Sequence, residues 1–113
     1  MTTGVHLIVD VYNINNHKLL ETIDGVKPLM VKIIEVGELN VLGEMEHQFK
    51  PIGATILYLL SESHLSIHTY PEKCYCAIDV YCCKLILNFD DILDVIYKYF
   101  DCNCIILKKV IER

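Results

Sequence analysis

The chain has no basic excess, no long apolar run, no internal repeat and no low-complexity linker. Ten Lys and Arg stand against fifteen Asp and Glu, a formal net charge of −5. Nucleic acid is therefore not an expected partner, because phosphate binding calls for a basic patch. No stretch approaches the ~20 apolar residues that span a bilayer, so no membrane partner is expected. The opening Met1-Thr2-Thr3-Gly4-Val5-His6 shows neither the charged nor the apolar region of a signal peptide. A soluble, intracellular and cytoplasmic protein is the expectation. The six cysteines, Cys74, Cys76, Cys82, Cys83, Cys102 and Cys104, lack the C-x₂₋₄-C pairs of a zinc site. Their spacings, Cys-x-Cys twice and Cys-Cys once, suit strand positions, and without a secretory signal reduced thiols are expected rather than disulfides, with no metal.

What is present is apolar. The chain has 113 residues, 53% of them apolar, with a mean hydropathy of +0.36. That length makes one domain, and a domain so short leaves much of its surface in water. The excess of Val, Ile, Leu and Tyr points either to a buried subunit interface or to a rich core.

Alternation over His6–Tyr12 predicts a first strand with Val5, Leu7, Val9 and Val11 on one face. Asn13–His17 is a polar break. Asp24 is the expected cap of a helix, with Pro28 in its first turn. Val26, Leu29, Met30, Ile33 and Ile34 form the stripe of that helix, and Gly37 its stop. Strands follow at Leu39–Phe49 (interrupted near Gly43), Ala54–Ser61, His64–Tyr70 and Tyr75–Cys83, with turns at Pro51–Gly53 and Tyr70–Lys73. Asn88 or Asp90 caps a second helix carrying Phe89, Ile92, Leu93, Ile96 and Phe100, and Cys104–Ile111 is the last strand. The acidic run Asp90, Asp91 and Asp94 reads as the charge cluster of a helix N-terminus. The order β-α-β-β-β-β-α-β predicts an α+β fold, a two-layer α/β sandwich with a mostly antiparallel sheet and both helices on one face.

The polar residues concentrate in Glu62-Ser63-His64-Leu65-Ser66-Ile67-His68-Thr69-Tyr70-Pro71-Glu72. On a strand Leu65 and Ile67 point one way and His64, Ser66, His68 and Tyr70 the other. Cys76, Ile78 and Val80 oppose Tyr75, Asp79, Tyr81 and Cys83 in the same manner. If both apolar sets face the helices, His68 and Cys83 share the open face, an arrangement that would suit an imidazole-activated thiol. His64 and His68 lie about 13 Å apart along a strand, too far to share one metal ion. Glu62 and Glu72 read as solvated strand-end charges, and Phe49 and Tyr70 as core or interface aromatics. The residues alone name a polar site on one sheet face and no reaction.

The same eleven residues resemble the self-cleavage segment of the prokaryotic-type, pyruvoyl-dependent S-adenosylmethionine decarboxylases. Gly4–Tyr12 resembles that family's opening strand, His47-Gln48-Phe49-Lys50-Pro51-Ile52-Gly53 its H-x-F-x-P-x-G turn, and Asp79-Val80-Tyr81-Cys82-Cys83 its D-x-F-x-C strand. The resemblance implies that the Ser63 hydroxyl attacks the Glu62 carbonyl. The chain then parts into residues 1–62 and 63–113, and Ser63 becomes an N-terminal pyruvoyl group. That group would hold S-adenosylmethionine as a Schiff base and take up the electrons left by departing CO₂, yielding the decarboxylated substrate for spermidine synthesis. His68 matches the proton acceptor of processing, and Thr55 stands where an assisting serine is usual. Cys83 matches the proton donor of catalysis; an unperturbed thiol is mostly protonated at neutral pH, as a donor must be. Phe49 and Tyr70 are implied contacts of the adenine or sulfonium, Glu72 of the ribose, and a homodimer with sites at the subunit junction is implied.

Four features depart from the pattern. Tyr70 replaces a usual tryptophan, Lys84 a usual glycine, and the Cys74–Cys76 patch and last strand are unlike common members. Two alternatives follow: a pyruvoyl-dependent decarboxylase of ornithine or arginine, and an uncleaved, non-catalytic regulatory paralogue.

Overall fold

A computed structural model describes residues 3–61, 63–83, 88–101 and 103–113. Six strands, β1 (Val5–Tyr12), β2 (Val41–Gln48), β3 (Ala54–Leu60), β4 (His64–Tyr70), β5 (Tyr75–Cys82) and β6 (Ile105–Glu112), form one sheet in the order β2-β3-β4-β5-β1-β6. All five neighbouring pairs are antiparallel. Two helices, α1 (Ile23–Gly37) and α2 (Phe89–Tyr99), and two short 3₁₀ turns, His17–Leu20 and Pro71–Lys73, complete the described elements.

Period-two alternation places the core. Val5, Leu7, Val9 and Val11 of β1 are buried, as are Leu65 and Ile67 of β4 and Cys76, Ile78 and Val80 of β5. Against them pack Val26, Leu29, Met30 and Ile33 of α1, and Ile92 and Ile96 of α2 with Phe100 just beyond it. Full burial of each such side chain contributes about 1.5–3 kcal/mol, and this face is what fixes the register.

Helix boundaries differ from the sequence expectation. Thr22, not Asp24, caps α1: its Oγ1 accepts the Gly25 N–H at 3.1 Å. Asp24 lies inside the first turn, where its charge still suits the helix dipole. The earlier start puts Pro28 inside the helix rather than in its first turn. Gly37 is the last helical residue, and the left-handed position is Glu38 (φ 52°). Asn88 stands at the start of α2, yet its side chain donates to the Val36 carbonyl at 2.9 Å instead of capping its own helix. The interruption expected near Gly43 is a register shift between Val41 and Gly43. β3 ends at Leu60 and β5 at Cys82, so Ser61 and Cys83 fall just outside strands, and β6 runs one residue later at each end than its pattern suggested.

Strand pairing resolves the other sheet face into cross-strand rows. From β2 to β6 one row reads His47, Thr55, His68, Ala77, Asp10, Leu107; the next Met45, Leu57, Ser66, Asp79, Ile8, Lys109; and the next Gly43, Leu59, His64, Tyr81, His6, Ile111. At one end Tyr70, Tyr75, Tyr12 and Ile105 close the series. Polar and titratable groups hold the centre, where His6 Nε2 meets Asp79 Oδ1 at 3.0 Å. Exposed apolar side chains hold both margins: Met45, Leu57 and Leu59 on one side, Ile105 and Leu107 on the other.

Candidate active site

Ser63 closes the β3–β4 hairpin: the Leu60 N–H donates to its carbonyl at 2.9 Å and its own N–H to the Leu60 carbonyl at 3.4 Å. This fixes the serine backbone against the tip of β5. There the Cys83 N–H donates to Ser63 Oγ at 3.1 Å, and the Ser63 hydroxyl is directed at Cys83 Sγ, 3.8 Å away. An N–H aimed at Oγ both orients the oxygen and stabilises negative charge developing on it. Cys83 is partly exposed, whereas Cys76 lies in the core, where burial pushes its thiol far above the usual range. Glu62 lies outside the described residues, as do Lys84 and Cys102.

The other expected residues gather at the opposite end of β4. Thr55 Oγ1 and His68 Nδ1 lie 2.9 Å apart across the β3–β4 pair, the direction of the bond following the imidazole tautomer. They open into a cleft of about 300 Å³ lined by Phe49, Lys50, Ile52, Gly53, Thr55, His68, Thr69, Tyr70 and Glu72. That is the lower end of the range for small-molecule sites, and it unites Phe49, Tyr70 and Glu72 as expected. The Phe49 ring meets His47 edge-on at 4.6 Å. Tyr70 stacks on Tyr75 at 5.4 Å, and Tyr75 on Tyr12 at 4.8 Å. The Tyr75 hydroxyl donates to Asp10 Oδ1 at 2.5 Å; burial, then this carboxylate, hold the phenol well above its ordinary pKa.

One expectation is corrected. His68 and Cys83 have the same strand parity but do not form a pair within the chain. His68 is opposite Ala77 on β5, so roughly 20 Å of strand separates it from Cys83. Ser63 stands about 17 Å along the chain from His68 for the same reason. Alternation assigns a face and says nothing of position along it. The expected residues thus fall into two separate pairs, Ser63 with Cys83 where the β3–β4 hairpin meets the tip of β5 and Thr55 with His68 at the far end of those strands.

Sequence reasoning missed the groups that hold the cleft in shape. Thr69 is buried on the helix side; its Oγ1 donates to the Leu20 carbonyl at 2.7 Å and accepts the Ala54 N–H at 2.8 Å. Thr69→Val strands both partners in the interior, and a loss of about 1–3 kcal/mol in urea unfolding is expected. Asp10 and Tyr75 were hidden because only strand pairing brings them together; Gln48 lay in view, inside the H-x-F-x-P-x-G motif, with no signal beyond that place.

Fold and site define a two-layer sandwich with a serine–cysteine pair at the β3–β4 hairpin and a histidine–threonine pair on the open sheet face. The family profile of S-adenosylmethionine decarboxylase matches residues 5–112, and the chain belongs to that family. Among its relatives, the S-adenosylmethionine decarboxylase proenzyme of Sulfurihydrogenibium sp. is 44% identical over 73% of the chain, although the match spans only 61% of that protein's length. Proenzyme 2 of Bacillus cereus strain ZK is 38% identical over 98% of this chain and 89% of its own. The crystal structure of the adenosylmethionine decarboxylase of Aquifex aeolicus VF5 superposes with a TM-score of 0.86 at 30% identity, covering 99% of this chain and 91% of that one.

Proposed function

We propose that this chain is a self-processing, pyruvoyl-dependent decarboxylase of S-adenosylmethionine whose active sites are each made by two copies. The observation that carries the proposal is the split site. Each chain presents a serine with a thiol at the hairpin end of the sheet and an imidazole with a hydroxyl at the far end of β3 and β4. A second copy laid across the open sheet face, related by a two-fold axis, brings each half-site against its complement and generates two equivalent sites. The apolar margins of the face support a homodimer of this kind, since Met45 is 73% exposed, Leu59 59% and Leu107 57%.

In processing, Ser63 Oγ attacks the carbonyl carbon of Glu62 and the Glu62–Ser63 C–N bond breaks, leaving an ester and a free amine. Loss of the Ser63 α-proton expels the Glu62 carboxylate, which ends the chain of residues 1–62. Water then replaces the nitrogen of residue 63, releasing ammonia and leaving the pyruvoyl group on residues 63–113. The Cys83 N–H steadies Oγ for the attack. His68, oriented by Thr55, takes the serine proton from across the dimer. The residues present fit the pyruvoyl group, because Cys83 approaches Ser63 through both its N–H and its thiol.

When formed, that group supplies an electron sink for loss of CO₂. The chain's own residues do the rest. Phe49 and Tyr70 offer aromatic faces to the adenine and the positive sulfonium, Glu72 offers a carboxylate to ribose hydroxyls, and the Cys83 thiol donates a proton to the carbon that lost CO₂. A thiol in this role must stay reduced, which favours a cytoplasmic setting.

Labelled CO₂ release from S-adenosylmethionine, ornithine and arginine, run in parallel, tests the reading. Release from S-adenosylmethionine alone is expected. Release from a basic amino acid alone would reassign the substrate, and no release from a single uncut 13.0 kDa chain would make the protein a non-catalytic regulatory paralogue.

A further inference from the structure

Phe49 is a wall of the cleft, yet the residue is 47% exposed. It meets the edge of His47 and lies over the turn residue Gly53, whose added Cβ would lie 3.5 Å from the Phe49 Cβ. A side chain this exposed is only partly held by packing. Its place follows from the backbone of the turn it opens, and that backbone converges on one side chain.

Gln48 points to the helix side of β2, away from the cleft. Its Oε1 accepts the Ile23 N–H at 2.9 Å, one of the donors that the first turn of a helix leaves without an internal partner. Its Nε2 lies 2.8 Å from the Glu21 carbonyl and 3.0 Å from each of the Phe49 and Gly53 carbonyls. Three carbonyls can be served only by the amide's two hydrogens, and an N–H only by its oxygen, so the partners settle the amide's orientation. The backbone adds two bonds to the same knot, Gly53 N–H to Glu21 at 2.9 Å and Phe49 N–H to Gly53 at 2.8 Å. Gly53 itself takes φ +119°, a conformation that a side chain would oppose.

We propose that Gln48 is a positioning residue for substrate: its side-chain amide ties both ends of the Phe49–Gly53 turn to the start of α1 and so sets the aromatic wall of the cleft. The inference rests on the decarboxylase reading for its kinetic consequence and on geometry alone for the tie. Ser63 and Cys83 lie at the other end of the sheet, and Thr55 and His68 are held within the strand ladder. Loosening the turn therefore reaches substrate binding and leaves self-cleavage untouched.

Gln48→Glu is the discriminating variant. It retains an acceptor for the Ile23 N–H, and so the end of α1, but removes both donors and sets a negative oxygen against three carbonyls. Its self-cleavage rate, kcat and KM for S-adenosylmethionine are measured beside hydrogen exchange of residues 49–53. Expected are wild-type cleavage, kcat within about twofold, KM raised about tenfold, and faster exchange confined to the turn; Gln48→Met, which loses every bond, should show the same KM rise with a lower melting temperature. An unchanged KM in an active Gln48→Glu enzyme overturns the inference, and so does a joint fall of cleavage, kcat and melting temperature, which would mark a general folding role. If the wild type releases no CO₂ from S-adenosylmethionine, the decarboxylase reading fails by itself, and exchange still decides the tie: unchanged protection of the turn overturns it, and faster exchange upholds it.

Discussion

Chains carrying Ser63→Ala and chains carrying His68→Ala are expected to remain essentially uncut when made separately and to regain cutting when made together. The reason lies in the distance between the half-sites. In a mixed dimer, the His68→Ala chain still offers its Ser63 and Cys83, and the Ser63→Ala chain still offers its His68 and Thr55. One of the two junctions is then whole and the other lacks both groups. With equal expression and random pairing, roughly half of the His68→Ala chains should cut, read by intact mass as two pieces ending at Glu62 and beginning at residue 63. Alone, the His68→Ala protein should process about 10²–10⁴-fold more slowly, the usual worth of a positioned proton acceptor. If the mixture cuts no faster than the two parents, each chain must assemble its site from its own residues, and the two-copy arrangement is wrong.

Replacing Cys83 by Ala should separate the two reactions of the same site. The contact to Ser63 Oγ at 3.1 Å comes from the backbone N–H of residue 83, which alanine retains, so cutting between Glu62 and Ser63 should proceed. Release of CO₂ should fall about 10²–10⁴-fold, because the thiol and not the amide gives the proton. Intact mass and labelled CO₂, measured on one preparation, check both halves. Turnover near that of the wild type would show that a different group protonates the product, and a failure to cut would show that the sulfur itself supports the attack.

Much of the scaffold was legible because burial imposes a period. The alternation of β1 and the apolar stripe of α1 gave both elements to within a few residues, and the layer arrangement followed from them. What periodicity does not carry is competition between neighbouring polar side chains. Thr22 and Asp24 are both good caps, and the choice falls to the residue whose oxygen reaches the Gly25 N–H. Asn88 looks like a cap by type and is drawn instead to the Val36 carbonyl. The site shows the same limit. Three separate motifs singled out Ser63, Cys83 and the residues Phe49, Tyr70 and Glu72, the last three of which share one cleft, and strand parity put His68 and Cys83 on one face. Their separation along it appears only when register pairs His68 with Ala77 and leaves Cys83 beyond the end of β5. Gln48 stood in plain view within a motif but its role gave no signal, since each of its partners is a main-chain group and main-chain groups leave no mark in composition.

The strand order β2-β3-β4-β5-β1-β6 bears on what a cut between residues 62 and 63 would leave behind. The first piece would own β1, β2 and β3, and the second β4, β5 and β6. Because β1 is wedged between β5 and β6 while β3 lies against β4, the two pieces interlace along three seams, and neither holds a continuous sheet of its own. Such a nick would have to follow folding, and the product would stay knitted as one body. Once unfolded, that product would be two molecules that must find each other again, so such a cut would turn a one-chain folding problem into a concentration-dependent one.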